Sequence, residues 1–359
     1  MVTAAPERGV KPRMTRVGPE GDSWPRIGVT PAELVLESGS LRVLHYPAQG
    51  PKKGPPFLLV MPVINRAYIV DLTPTTSIIG ALQAAGIDTF VVDWGKPRLH
   101  DRNKGLDELV TTLLPRVERK VLEFSGSKEL VLAGYCLGGT IAVCRAARGA
   151  AAKNAVEKAR HAGLVTIHTP VSFANTGLIG QFAAPENFPL ESILGAFGNM
   201  PGWLLQQGFY GQKPLQQVSK YKKVFQKVAK EGLETAESRD AVEEFLALER
   251  WNSDNVPVTG AFYRRLIQDL YRDDRLTQGT LTIKGEPISL EAIECPALVV
   301  VAKDDPICLP HQARALAENV SSASKETLEL TGGHVRSLSG PKARHPFAKK
   351  LAAWVAARS

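Results

Sequence analysis

The stretch Leu130–Thr140, which reads LVLAGYCLGGT, decides the fold because it joins a short apolar strand to a helical segment through a G-x-C-x-G-G turn. This is the pattern of a nucleophile elbow, with cysteine in the position of serine. The glycines are needed because a larger side chain would collide with the neighbouring strand or helix. The pattern predicts that Cys136 is a nucleophile at a helix N-terminus, where the helix dipole and free N–H groups favour a thiolate. The N–H of Leu137 is then a candidate oxyanion donor.

Working outward from the elbow, short apolar runs have the length of buried strands. They are Leu41–Tyr46, Phe57–Met61, Thr89–Val92, Leu130–Ala133, Leu164–Ile167, Leu298–Val301 and Thr327–Leu330. Segments with helical periodicity lie between several of them, at about Thr75–Ala85, Leu106–Phe124 (interrupted by Pro115) and Leu137–Arg148. This alternation predicts an α/β fold with a mostly parallel sheet and helices on both faces.

The alternation stops near residue 170 and resumes near residue 295. Of the chain's 24 aromatic residues, 14 lie between residues 171 and 275, in a mainly helical apolar pattern. We therefore expect a helical cap over the active face. The predicted organisation is a poorly ordered lead-in at 1–30, a first core part at 31–170, the cap at 171–290 and a second core part at 291–359.

The composition of the chain excludes several classes of protein. With 44% hydrophobic and 22% charged residues it is neither disordered nor of low complexity, and no apolar run is long enough to cross a bilayer. Four cysteines without a CxxC pair argue against a disulfide framework and a metal site, so a cytoplasmic, reducing compartment is expected. The net charge of +8 comes without a nucleic-acid motif and is consistent with an anionic substrate.

A cysteine nucleophile needs a base, and the base needs an orienting acid. In folds with this elbow the chain order is nucleophile, acid, histidine. His334 lies in a glycine-rich loop after the last predicted strand and is the candidate base. Asp304 and Asp305 directly follow the strand before it, and because neighbouring residues point to different sides, the residues alone leave both open as the acid.

A second oxyanion donor is expected in the loop that follows the strand Phe57–Met61. This loop reads Pro62-Val63-Ile64-Asn65-Arg66 and contains no glycine run of the HGGG type. A backbone N–H of Val63 or Ile64 is the natural candidate.

Several pieces of the sequence resemble the catalytic subunit of polyhydroxyalkanoate (poly-3-hydroxybutyrate) synthases, especially the short two-subunit type of the α/β-hydrolase superfamily. The resemblance covers roughly 300 residues from about position 56. The pieces that carry it are Val63–Leu72, Val92–Gly95, the elbow Gly134–Gly139, Trp251–Asp254, Asp304-Asp305 and Gly332–His334. The D-W-G and W-N-x-D pieces are much more specific than the elbow.

The resemblance implies that the acid of the triad is Asp305, the second aspartate of the pair. Two residues of this sequence differ from the usual pattern of the family. Pro306 follows Asp305 where the family usually has histidine, and Val335 follows His334 where isoleucine is common. These departures leave the triad intact and bear on substrate detail.

The implied activity is polymerisation of a 3-hydroxyacyl-coenzyme A through a cysteine-linked acyl-enzyme, with release of coenzyme A. No cofactor or metal is implied, since the coenzyme A thioester is the substrate. The implied partners are this thioester, the growing polyester, a separately encoded second subunit and a second copy of the chain. The implied location is the cytoplasm, at the polyester granule surface.

Two other functions remain open from the sequence. A cysteine-nucleophile hydrolase acting on thioesters, lactones, esters or polyesters would share the triad and differ in using water to resolve the acyl-enzyme. A non-catalytic granule-associated protein would retain the fold, although the complete set of Cys136, Asp305 and His334 argues against it.

Overall fold

A computed structural model describes residues 13–18, 24–153, 158–211, 226, 228–229, 232–339 and 344–358. Within these residues the centre is a nine-stranded sheet in the order β1-β2-β3-β5-β4-β6-β7-β10-β11. The strands are β1 (Arg13–Thr15), β2 (Ala32–Ser38), β3 (Leu41–Tyr46), β4 (Phe57–Val60), β5 (Thr89–Asp93), β6 (Leu130–Tyr135), β7 (His161–Ile167), β10 (Ala297–Ala302) and β11 (Lys325–Leu330).

The strands from β5 to β11 in this order pair in parallel, whereas β1, β2 and β3 pair antiparallel at one side. Every residue of β4, β6 and β10 is buried, which explains why these strands are continuous apolar runs rather than alternating ones. The predicted α/β fold with a mostly parallel sheet is therefore confirmed. The strands β1 and β2 were not among the predicted runs.

Helices cover the sheet, and their bounds refine the predicted segments. Those of the core are α1 (Ile78–Ala84), α2 (Leu106–Glu108), α3 (Leu114–Ser125), α4 (Leu137–Ala151), α10 (Pro310–Asn319), α11 (Arg336–Ser339) and α12 (Arg344–Ala356). The helix expected from about Thr75 begins instead at Ile78, because Ser77 is its N-cap and accepts from the N–H of Gly80 at 2.8 Å. Pro115 lies in the first turn of α3, directly after a π-helical turn at Leu109–Leu113.

The stretch between β7 and β10 is mainly helical. It contains α5 (Leu178–Ala183), α6 (Leu190–Phe197), α7 (Gly202–Gly211), α8 (Ala236–Ser253), α9 (Gly260–Arg265), a π-helical turn at Leu266–Arg272 and a small hairpin of β8 (Thr282–Ile283) and β9 (Glu286–Pro287). Its far end is tied to the core by Asp274, whose carboxylate accepts from the N–H of Phe173 at 2.6 Å. No hairpin was predicted there.

The structure describes part of the predicted lead-in at residues 1–30. Arg13–Thr15 adds a strand to the sheet edge. The guanidinium of Arg26 binds the carboxylate of Glu243 on α8, with 2.8 Å between Nη2 and Oε2. Residues 1–12 and 19–23 lie outside the described residues.

A buried ionic cluster lies near the amino ends of β6 and β7. Glu118 of α3 accepts from Arg145 Nη2 of α4 at 2.6 Å, and the Nε2 atom of His161 lies 2.9 Å from Glu118 Oε1. The side chain of His161 is 4% exposed in this cluster. Among the described residues no helix has both the length and the apolarity needed to span a membrane.

Candidate active site

Cys136 lies at the sharp turn between β6 and α4, at the carboxyl end of the sheet. Its backbone has φ 53° and ψ −131°, outside the regions that residues other than glycine normally adopt. A Cβ at Gly134 would overlap the backbone of Gly139, and one at Gly138 would overlap the carbonyl of Val60. The elbow therefore requires these glycines, and the close packing holds the nucleophile in one conformation.

His334 and Asp305 lie in the loops after β11 and β10, the next strands along the same sheet edge. The distance between His334 Nδ1 and Asp305 Oδ2 is 2.6 Å. Asp305 also accepts from the N–H groups of Ile307 at 2.8 Å and Cys308 at 3.1 Å. The other ring nitrogen of His334, Nε2, does not contact Asp305, and Cys136 is close enough for its charge to raise the pKa of the imidazole.

Only one of the two neighbouring aspartates reaches the imidazole. Asp305 is 3% exposed and contacts His334, whereas Asp304 is exposed and accepts from the N–H of Gly332 at 3.1 Å. The structure thus brings together Cys136, His334 and Asp305, the three residues selected from the sequence and the resemblance.

The charges of these groups support one another. Burial alone would lower the pKa of His334, but the charge of Cys136 and the hydrogen bond to Asp305 outweigh it and raise this pKa to about 10. Burial opposes ionisation of Asp305, yet the hydrogen bond and charge of His334 hold the pKa of its carboxyl below the ordinary value. The arrangement therefore favours the imidazolium form of His334 beside the ionised carboxylate of Asp305.

The backbone of His334 is also held. Its carbonyl accepts from the Tyr135 hydroxyl at 2.9 Å and lies 2.8 Å from His168 Nδ1. Side-chain atoms of His168, Asp305 and His334 lie within 4.8 Å of one another, a spacing that a metal ion could also use. Because these atoms form the hydrogen bonds just described, the bonds account for the arrangement.

The two candidates for the second oxyanion donor line different cavities. Ile64 lines the cavity that also contains Cys136 and Leu137, whereas Val63 lines a neighbouring smaller one with Trp94. Leu137 is the first residue of α4, so its N–H has no acceptor within the helix. Of the three candidate donors, Leu137 and Ile64 thus line the same cavity as Cys136.

The cavity above Cys136 is apolar and has a volume of about 280 Å³. Most of its walls come from the cap. They comprise Ile64, Leu137, Pro170, Ile179, Phe182, Ala183, Phe188, Met200, Leu204, Leu205, Tyr263, Leu266, Ile267, Tyr271, Ile307 and Cys308. Such a lining suits an acyl group and excludes water.

The sequence pieces behind the resemblance contact one another in space. The indole N–H of Trp251, at the end of α8, donates to the carbonyl of Arg66 at 2.9 Å. The Tyr68 hydroxyl donates to Asp254 at 3.0 Å, and the indole N–H of Trp94 donates to the Met61 carbonyl at 2.7 Å. Both ends of the loop that carries Ile64 are therefore pinned, one to the core and one to the cap.

The parallel sheet, the elbow at its carboxyl edge and the triad define an α/β hydrolase. Residues 75–341 match the family described as alpha/beta hydrolase fold, and the chain belongs to this family. A monoacylglycerol lipase from Paleococcus ferrophilus has the same fold, with a TM-score of 0.53 at 16% identity over 89% of this chain and 99% of the lipase.

Within this family, the sequence is similar to the poly(3-hydroxyalkanoate) polymerase subunit PhaC. The chain is 31% identical to PhaC of Haloferax mediterranei over 93% of its own length, but spans 65% of that protein. It is 29% identical to PhaC of Allochromatium vinosum over 91% of this chain and 89% of that one. The resemblance seen in the motifs is thereby confirmed, and the match in length is with the shorter relatives.

Sequence reasoning missed three residues around the nucleophile. His168 contacts the carbonyl of His334, and Cys308 lines the cavity and donates its backbone N–H to Asp305. Tyr135 was not considered, although it directly precedes the nucleophile. The position of Tyr135 in the elbow and that of His168 at the end of the next strand were the available signals.

Proposed function

We propose that the chain is a polyhydroxyalkanoate synthase that polymerises 3-hydroxyacyl-coenzyme A through an acyl group on Cys136. The observation that carries this proposal is a cysteine, rather than a serine, at an elbow with His334 and Asp305 beneath an apolar cavity. Its similarity to PhaC subunits over more than nine-tenths of the chain supports the choice of substrate.

In the first half-reaction, the Cys136 thiol gives its proton to His334. The thiolate then attacks the thioester carbonyl, and the tetrahedral oxyanion collapses with loss of coenzyme A, which takes the proton from the imidazolium. Exchange of one thioester for another is nearly balanced in free energy. A serine ester, by contrast, would be a lower-energy sink, so cysteine suits a transferase.

In the second half-reaction, the hydroxyl of another acyl unit or of the growing chain attacks the acyl-enzyme. Neutral His334 accepts the hydroxyl proton, an ester bond forms, and the departing Cys136 thiolate pairs again with the imidazolium. The apolar walls of the cavity favour this outcome because they keep out the water that would hydrolyse the acyl-enzyme.

The N–H groups of Leu137 and Ile64 are the proposed oxyanion donors in both halves. Leu137 begins α4 next to the nucleophile, and Ile64 lines the same cavity. Loss of one such donor typically lowers kcat by about 10²–10³-fold. Val63 is set aside because it lines the neighbouring cavity.

The proposed reaction needs no resident cofactor, because the thioester supplies both the acyl group and its leaving group. Treatment with EDTA followed by dialysis should therefore leave thiol release unchanged. The excess of Lys and Arg over Asp and Glu, 44 to 36, would favour capture of the anionic nucleotide part of coenzyme A.

The proposed partners are a second synthase subunit, a second copy of this chain and the polyester itself, at the granule surface in the cytoplasm. Exposed apolar side chains on the cap support binding to such partners. Those that are 49–59% exposed are Leu178, Phe182, Phe197 and Trp203. Polymer turbidity with and without a co-purified subunit, together with the oligomeric state, tests these partners.

The deciding experiment follows thiol release from 3-hydroxybutyryl-coenzyme A while free acid and polymer are measured separately. The proposal predicts polymer, with no release by Cys136→Ala and at most a trace by Cys136→Ser, since a serine hydroxyl is far less acidic. Free 3-hydroxybutyrate without polymer would indicate the hydrolase instead. Wild-type turnover by the alanine variant would overturn the assignment of the nucleophile.

A further inference from the structure

His168 is a fully buried histidine at the carboxyl end of β7 that the proposed reaction does not use. It is 1% exposed, and its φ of 45° lies in the left-handed region. Residues other than glycine, asparagine and aspartate are strained in this region. Such strain persists where surrounding contacts fix the residue, and it is often found at functional sites.

The hydrogen bonds of His168 define its protonation. A carbonyl oxygen can only accept, so the contact of 2.8 Å with the His334 carbonyl places a proton on Nδ1. Burial, followed by the charge of His334, lowers the pKa of His168 to about 3, so the ring is neutral. Its Nε2 atom is then an acceptor for the hydroxyl of Ser337, 3.3 Å away on α11.

His334 itself lies in a loop that needs such support. The loop contains Gly332, with φ 107°, and Gly333, so its backbone is intrinsically permissive. Tyr135 at the end of β6 and His168 at the end of β7 both donate to the same carbonyl. Two neighbouring strands of the sheet therefore fix the backbone of the base from one side.

We propose that His168 positions the catalytic base, because its neutral ring donates to the carbonyl of His334 and holds that residue in place. This inference rests on the proposed role of His334 as the base. His168 is a positioning residue and does not line the cavity. Its neutrality matters, since the two imidazole rings are 5.6 Å apart and a second cation would oppose the imidazolium of His334.

The test compares two substitutions of equal branching. His168→Asn keeps a donor at the position of Nδ1 and tolerates the left-handed backbone. His168→Leu has a similar shape without the donor. A displacement of the base by about 1 Å can cost about 10²-fold, so kcat for thiol release should fall roughly 10- to 100-fold in His168→Leu. It should stay within about threefold in His168→Asn, with KM unchanged in both.

Tyr135→Phe provides a second route because it removes the other donor and leaves the backbone at residue 168 untouched. Combined with His168→Leu, it should reduce kcat by more than the product of the single losses, since both donors act on one carbonyl. If His168→Leu does not fold, His168→Gln takes its place. The amide of glutamine is one carbon further from the backbone than that of asparagine, so its donor is not at the position of Nδ1.

A second readout is the rate at which iodoacetamide alkylates Cys136. Labelling of the other cysteines is measured in Cys136→Ala and subtracted. This rate should fall in His168→Leu and recover in His168→Asn. Equal losses in the two variants, or unchanged kcat and alkylation with a lowered Tm, would overturn the inference and leave a packing role. Full activity of Cys136→Ala would instead overturn the proposed function on which the inference rests.

Discussion

Replacing Asp305 by asparagine should be far more damaging than the same change at Asp304. Asp305 is buried and accepts from His334 Nδ1 at 2.6 Å. An amide group can present its NH₂ to the imidazole, which would stabilise the tautomer with its proton on Nε2. In that tautomer His334 cannot take the proton of Cys136.

The expected loss of kcat in Asp305→Asn can be bounded from two magnitudes. A hydrogen bond to a charged group contributes about 1.5–3 kcal/mol, which at 1.36 kcal/mol per tenfold corresponds to roughly 10- to 150-fold in rate. The wrong tautomer in a serine-protease triad costs about 10⁴ in kcat. We therefore expect kcat for Asp305→Asn to fall between roughly 10-fold and 10⁴-fold.

Asp304→Asn is the matched control. Asp304 is exposed, and its contact with the N–H of Gly332 needs only an oxygen acceptor, which asparagine retains. Its kcat should stay within about threefold of wild type when thiol release from 3-hydroxybutyryl-coenzyme A is measured. Equal losses in the two variants, or a larger loss in Asp304→Asn, would refute the assignment of the acid.

The same substitution should change the dependence of the site on pH. The pKa of His334 is raised to about 10, so the imidazolium is retained below this pH and lost as the pH rises through it. The charge of Asp305 and its hydrogen bond help raise that pKa, so Asp305→Asn should shift the loss to lower pH. NMR signals of the His334 imidazole followed across the alkaline range measure this pKa, and an upward shift in Asp305→Asn would contradict the electrostatic account.

Two further predictions concern one contact in the core, away from the site, and one contact between the core and the cap. Glu118→Gln leaves Arg145, which is 1% exposed, without its carboxylate partner and should lower the free energy of unfolding by about 3–5 kcal/mol. The control Glu123→Gln on the same helix should change it by less than about 0.5 kcal/mol. Equal urea-unfolding midpoints of the two variants would refute this. Trp251→Phe removes the hydrogen bond to the Arg66 carbonyl, which should lower kcat several-fold with little change in Tm. Unchanged kcat would mean that the loop carrying Ile64 is not held in place by this contact with the cap.

The elbow and the order of the triad were predictable because both are local or linear features of the sequence. A strand, a glycine-bounded turn and a helix follow each other within Leu130–Ala151, and the proposed acid and base follow the last two strands, β10 and β11. Parallel strands bring these ends to one edge of the sheet whatever lies between them. For this reason the chain order translated directly into the site.

The choice between neighbouring residues was not predictable from composition or spacing. Asp304 and Asp305 differ in burial, and Val63 and Ile64 differ in the cavity they line. Both differences depend on how distant loops pack over the sheet edge. In the first case the resemblance favours Asp305, and in the second the cavities that the two residues line support the proposal of Ile64.

The elements that escaped sequence reasoning are short or depend on distant partners. The strand Arg13–Thr15 has three residues and exists through its pairing with β2. The contact of His168 with the His334 carbonyl joins residues that are 166 positions apart in the chain. Neither periodicity nor a local motif encodes such contacts.

The most direct test of the account is to identify the residue that carries the acyl group. A single-turnover reaction with labelled 3-hydroxybutyryl-coenzyme A, quenched in acid and digested, should place the label on the peptide that contains Cys136. The label should be sensitive to thiols and absent from Cys136→Ala. Label on another cysteine, or undiminished label in the alanine variant, would contradict the claim that Cys136 is the nucleophile.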